Sequence, residues 1–171
     1  MKSVFVLMAA TLLFGCGKPT STPITPDKIT GSSAALEIIK YPSRVEAFAL
    51  IENHGLDLDL DKLDSYTRIG PIALSPALTT NISGILSDQA TYVLGGKGCI
   101  PIYGIRLRFV GQSDSVDVLL CMNWDILMFA FKKEQKYEER DFDPSRPQIV
   151  RLLKQVFPND NVVQSLKENA H

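Results

Sequence analysis

Three cysteines, two histidines and a run of alternating aspartates are the residues of this chain best suited to chemistry. Cys99, Cys121 and the sole tryptophan, Trp124, fall in one stretch from Gly98 to Phe131. Two thiols can form a disulfide, exchange electrons as a dithiol, or ligate a metal. Two sulfurs without neighbouring histidines fall short of the four ligands of a structural zinc site, so no metal is expected. Asp57, Asp59 and Asp61 alternate with leucines, as acids do in a calcium loop. An EF-hand loop wants glycine at its sixth position and glutamate at its twelfth, where this chain has Lys62 and Arg68. Alternating Leu and Asp also describes an edge strand or extended loop with its acids in water. The same aspartates are candidates for a hydrolase, because paired carboxyls work at separations of about 5–10 Å. His54 sits in an Asn53-His54-Gly55 turn and reads as an exposed turn residue; the other histidine, His171, is terminal. Gly95-Gly96-Lys97-Gly98 has a phosphate loop's composition but leads into a strand, whereas such loops feed a helix N-terminus. No nucleophile–base–acid set stands out, so neither a catalytic residue nor a cofactor is expected.

The clearest elements around these residues form a hairpin. Tyr103, Ile105, Leu107 and Phe109 are apolar at alternate positions, with Arg106 and Arg108 on the other face. Val116, Val118, Leu120 and Met122 repeat the pattern, and Gly111-Gln112-Ser113-Asp114 is a four-residue loop of turn formers. Pairing Val110 with Ser115 puts Phe109 opposite Val116, Leu107 opposite Val118, Ile105 opposite Leu120 and Tyr103 opposite Met122. A slip of one residue would break all four pairs. Arg108 then faces Asp117, a favourable cross-strand pair. Gly104 falls opposite Cys121, leaving room beside the sulfur, with Cys99 just upstream. A Cys99–Cys121 bridge is sterically reasonable; two reduced, buried thiols are the alternative.

Other elements follow from caps and breakers. A short helix over Ser32 to Lys40 is capped by Ser32 or Ser33 and stopped by Tyr41-Pro42. Arg44 to Glu52 alternates as a strand, and Tyr66 to Ile72 is a second strand ended at Gly70-Pro71. Ser75-Pro76 opens a helix whose Leu78, Ile82, Ile85 and Leu86 make one stripe. Ile126 to Phe131 is apolar on both faces, as a covered strand is, with Asn123-Trp124-Asp125 a turn or a bulge before it. Lys132 to Asp141 reads as a solvated charged segment. A helix opens at Asp143-Pro144 or Ser145 and closes at Phe157-Pro158, and Asp160 caps a last short helix. The predicted fold is α+β: two layers, an antiparallel sheet of four to five strands with helices packed on one face.

The N-terminus sets the compartment. Met1-Lys2 and the apolar run Val4 to Phe14 are too short to span a membrane and suit a secretory signal. The run ends Leu13-Phe14-Gly15-Cys16, which resembles the lipobox of bacterial lipoproteins. The resemblance implies a signal peptide over 1–15 and a mature chain beginning at an acylated Cys16. Several acyl chains on one residue anchor stably, at about 0.8 kcal/mol per buried methylene. Residues 16–31 are rich in Pro, Thr and Ser and read as a tether of up to about 45–50 Å. A single domain then occupies 32–171. Gly17, where retained lipoproteins of enteric-type bacteria commonly carry aspartate, leans towards the outer membrane of a Gram-negative host. With residues 1–15 removed, 17 basic residues face 19 acidic ones, leaving no basic excess for nucleic acid or anionic lipid. Cys99 and Cys121 then remain as an even pair in an oxidising envelope. Their bridge closes a loop of about 22 residues, worth roughly 3 kcal/mol in the chain-entropy picture.

Cys99-x-Pro101, Gly104-x-Arg106, a strand ending Leu120-Cys121, an apolar strand and a helix ending Phe157-Pro158 resemble a group of uncharacterised bacterial lipoproteins. In that group a Cys-Phe-x-Cys element ends the second strand. Here Met122 replaces the phenylalanine and Trp124 the second cysteine, so no CxxC centre is formed. The resemblance implies fold and anchoring but no activity. The expected function is a membrane-anchored envelope lipoprotein, non-catalytic, binding an envelope protein or polymer or serving as structure. The alternatives are an envelope hydrolase using the acids and a thiol-redox protein using Cys99 and Cys121.

Overall fold

Strict alternation in the hairpin sequence commits one face of a sheet to the core, and the rest of the chain assembles around it. A computed structural model of the chain describes residues 26–51, 58–93 and 97–169. Six strands form one antiparallel sheet: β1 Arg44–Leu50, β2 Thr67–Ala73, β3 Ile105–Val110, β4 Ser115–Cys121, β5 Ile126–Phe131 and β6 Lys136–Asp141, in the order β2-β1-β3-β4-β5-β6. The class is α+β as expected, with six strands where the sequence predicts four to five.

The β3–β4 register is the predicted one. Ile105 pairs with Leu120, Leu107 with Val118, Phe109 with Val116, and Arg108 with Asp117. The turn closes through the Gly111 amide, which donates to the Asp114 carbonyl at 2.7 Å. Tyr103 departs from the pattern. The strand begins only at Ile105, so alternation does not reach back to it. Tyr103 packs on the opposite face with Phe48, Leu119 and Cys121, whereas Met122 joins the helix-covered core.

Helices α1 Pro26–Thr30, α2 Ser33–Lys40, α3 Pro76–Ser87, α4 Arg146–Val156 and α5 Asn161–Gln164 complete the chain. Ala35 and Ile39, Ile82 and Leu86, and Ile149 and Leu153 belong to the core that holds the apolar face of the sheet. Ser32 caps α2, accepting from the Ala35 amide, and Ser75 caps α3, with Pro76 at its first position. Among the described residues no helix is long and apolar enough to cross a membrane.

Three segments correct the sequence reading. Pro26–Thr30, assigned to the tether, is a helical turn whose Ile29 and Thr30 are buried, so the folded domain begins before residue 32. The charged segment after β5 contains strand β6, paired with β5 from Ile126↔Asp141 to Phe131↔Lys136. As an edge strand it needs no apolar face, which is why its composition reads as solvated. Strand β2 does not stop at Gly70-Pro71. Ala47 pairs with Ile72 and Ala49 with Ile69, so Gly70 and Pro71 together face the single Phe48 in a bulge. A proline is tolerated there because β2 is an edge strand. A β-carbon on Gly70, at φ +124°, would sit 2.8 Å from the Ala47 carbonyl oxygen.

The face opposite the helices is also covered. Leu60–Tyr66 forms a 3₁₀ segment whose Leu63 packs on Phe48, Leu119 and Met128. The two-layer picture therefore gains a thin third cover.

The α5 cap ties the last helix to the far edge of the sheet. Asp160 accepts from the Val162 and Val163 amides and pairs with Arg68 on β2 at 2.6 Å. Burial works against its charge, yet Arg68 and the two amides hold its carboxyl below the usual carboxylate value. The stability this contributes is present above the unfolded pKa, about 3.9. It is lost as the pH falls through the depressed folded value. Asp160→Ala is expected to cost about 1–2 kcal/mol at pH 7. It should also flatten the acid-side decline of the urea midpoint below about pH 4. A variant with the wild-type midpoint and acid limb would remove Asp160 from the account.

Candidate functional site

At one end of the sheet, three connections meet that the chain separates widely. They are the turn Met122 to Asp125 between β4 and β5, the segment from Lys97 to Tyr103, and the 3₁₀ turn Asp143–Ser145 ahead of α4. Asp125 closes the first turn with φ +53°, a conformation that aspartate tolerates better than most residues.

Lys97 joins the three. Its ammonium donates to the Trp124 carbonyl at 2.6 Å and to Asp143 Oδ1 at 2.5 Å, and pairs with Asp141 at 3.1 Å. All three of its protons are thereby engaged. Partial burial opposes the charge, but the Asp143 and Asp141 carboxylates outweigh it and hold the Lys97 pKa above the ordinary lysine value. Arg146, at the start of α4, is buried and grips the turn from below. It donates to the Met122 carbonyl at 2.7 Å, to the Asp125 carboxylate, and to the Lys167 carbonyl at 2.9 Å.

These groups border a cavity of about 500 Å³ lined by Lys97, Gly98, Cys99, Asn123, Trp124, Asp125 and Asp143. Trp124 is half exposed at its edge. The Asp125 and Asp143 carboxyls stand close enough to shift each other's proton affinity. Burial pushes Asp125 up against the pull of Arg146, whereas Lys97 and Asp125 hold Asp143 down despite its own partial burial.

Of the two thiols singled out by the sequence, Cys99 lines this cavity and Cys121 lies buried beneath it. Both are free thiols, and Cys99 packs against the apolar cluster to which Cys121 belongs. Burial pushes the Cys121 thiol up, which makes it a poor nucleophile.

The other chemistry-bearing residues are not brought here. Asp59 caps the 3₁₀ segment by accepting from the Asp61 amide and pairs with Lys62, while Asp61 pairs with Lys132. Among the described residues no three His, Cys, Asp or Glu side chains are placed to hold a metal. Cys16, His54, Asp57, Gly95, Gly96 and His171 lie outside the described residues.

A second constellation lies on the sheet face under the 3₁₀ cover. Arg106 is fully buried and donates to Asp117 at 2.8 Å and to Asp64 at 2.7 Å. Arg108 reaches the same Asp117 oxygen at 3.1 Å. The Arg106 guanidinium stacks 4.6 Å from the centroid of the Phe48 ring. Burial pushes the Asp117 carboxyl up, and Arg106 pulls it only part of the way back. The sequence identifies the Arg108–Asp117 pair through strand register. It carries no signal that Arg106 would be sealed, because the covering segment comes from residues about 40 positions away.

Compared with protein-family models, with curated proteins and with solved structures, the chain matches none.

Proposed function

We propose that this chain is a lipid-anchored protein of the bacterial cell envelope, and that its domain is a binding or structural module without a reaction of its own. The observation that carries the reading is Leu13-Phe14-Gly15-Cys16, a cysteine standing where the apolar run of a secretory signal stops. Likeness to the uncharacterised lipoprotein group belongs to the same proposal, as does the outer-membrane preference drawn from Gly17. The non-catalytic part is supported by how the cavity's charges are used. Lys97, Arg146, Asp125, Asp141 and Asp143 are joined in ion pairs that fasten three connections together. A rigid recognition surface needs that arrangement.

The reading also joins Cys99 and Cys121 once the domain is in an oxidising compartment, since their shared apolar cluster supports their approach. Metabolic labelling with a palmitate analogue in a bacterial host tests the anchor. Wild type should carry label at Cys16 and sediment with membranes, and Cys16→Ser should carry none. Non-reducing peptide mapping of the same material should recover Cys99 and Cys121 in one linked pair. Unlabelled wild type would end the anchoring reading.

A specific observation favours a second reading. Asp125 and Asp143 line one cavity beside an exposed indole, with their pKa values moved apart, a pattern that acid–base pairs share. Cleavage of an envelope polymer that disappears in a folded Asp143→Asn variant would shift the weight to an envelope hydrolase.

A further inference from the structure

The cavity at Trp124 has a composition that selects among ligand classes. Its cations are already committed: Lys97 uses its three protons on Asp143, Asp141 and a carbonyl, and Arg146 is buried against Asp125. Among the described residues lining the cavity, no cation is left to hold a phosphate or carboxylate. The anions are committed as well, because each carboxylate facing the cavity already touches Lys97 or Arg146, so a ligand cation would find the charge largely neutralised. What remains is hydrogen-bonding capacity with at most one negative charge left over, because two cations face three carboxylates. Asp143 is 43 % exposed and keeps acceptor lone pairs, and Asn123 offers both donors and an acceptor.

Beside these polar groups stands the indole. Trp124 is 50 % exposed, an unusual position for the chain's only tryptophan. Its backbone is fixed from two sides, by Lys97 on its own carbonyl and by Arg146 on the carbonyl of Met122. The ring is therefore presented by an anchored turn, which lowers the ordering cost of binding. Gly98 adds an open side, since a β-carbon there would meet no atom within 4 Å.

A flat apolar face next to an amide and a charge-paired carboxylate matches a pyranose ring. Its axial C–H groups form an apolar face for the indole, and its edge hydroxyls donate to carboxylates and exchange hydrogen bonds with an amide. About 500 Å³ is within the range of small-molecule sites and leaves room for a mono- or disaccharide.

We propose that this cavity is a glycan-binding site, with Trp124 as the stacking platform and Asn123 and Asp143 as the hydroxyl-reading rim. The proposal deepens the binding-module reading and rests on that part of it alone. Acylation at Cys16 can fail while sugar binding holds, and the reverse.

Because Trp124 is the only tryptophan, its fluorescence reports this site directly. The full-length chain, in a detergent without a sugar headgroup, is titrated with diacetylchitobiose, cellobiose and maltose, and in parallel with choline and inorganic phosphate. A saturable change in emission with at least one saccharide, and none with choline or phosphate, is expected. Calorimetry on Trp124→Ala should show that saccharide bound at least about tenfold more weakly, with Asn123→Ala weaker by a smaller factor. Both positions lie in a surface turn, and far-ultraviolet circular dichroism checks that each variant remains folded. A response to choline or phosphate alone, no saturable response to any saccharide, or undiminished affinity in Trp124→Ala would overturn the proposal.

Discussion

Replacing Asp117 with alanine is expected to remove about 3–5 kcal/mol of unfolding free energy, because it strands a fully buried guanidinium. Arg106 keeps only Asp64, which is 78 % exposed and worth little in water, and the Phe48 ring. Arg108 loses its closest carboxylate in the same step. The companion double variant Arg106→Met with Asp117→Leu separates the worth of the pair from the penalty of breaking it. Apolar groups of similar volume in that site, packed on Phe48, Leu63 and Leu119, should give a protein within about 1 kcal/mol of wild type or more stable. Urea unfolding measures both, read as a midpoint shift at constant slope. A single-variant loss below about 1 kcal/mol would mean that water already reaches Arg106. The pH behaviour has a definite sign. The folded state raises the Asp117 pKa through burial, so it binds that proton more tightly than the unfolded chain does. Acid does not withdraw stability through Asp117; it does so through groups such as Asp160, whose pKa is depressed.

The second large effect is expected at Arg146. Its guanidinium alone spans the Met122 carbonyl, the Asp125 carboxylate and the Lys167 carbonyl. Arg146→Ala leaves Asp125 buried with its main cation gone, a loss of about 3–5 kcal/mol. The damage should be spatially uneven. Amide exchange should quicken most in the turn Met122 to Asp125 and in the tail after α5, and least in β3 and β4. Trp124 emission should move to the red as its turn loosens. Arg146→Lys restores the charge but not the planar fork, so it should recover less than half of the loss. Uniform acceleration of exchange across the sheet would show that Arg146 supports the fold generally rather than this turn.

What the sequence makes legible is local. The β3–β4 register follows from alternation plus a four-residue turn, and Ser75-Pro76 and Asp160 announce helix starts because a cap is a contact three residues long. β6 escapes because a charged edge strand borrows its structure from β5, and α1 because one buried Ile29 in a Pro/Thr-rich stretch makes no period. The cavity is less legible still. Lys97 meets Asp143 across 46 positions and Arg146 meets Met122 across 24. Side-chain contacts of that span depend on where helices and turns dock, and docking leaves no repeat in the chain. Cys99 and Trp124 are both prominent in the sequence, yet only the fold places them on one cavity.

The two borders of the sheet have a shared consequence. One is bent by the Gly70-Pro71 bulge; the other carries charge at every position but Tyr137 and is partly capped by the Val93–Asp141 bridge. Neither offers the long, flat, greasy ribbon that a neighbouring molecule needs for strand-on-strand growth. Copies of the domain can collide repeatedly without polymerising into fibrils.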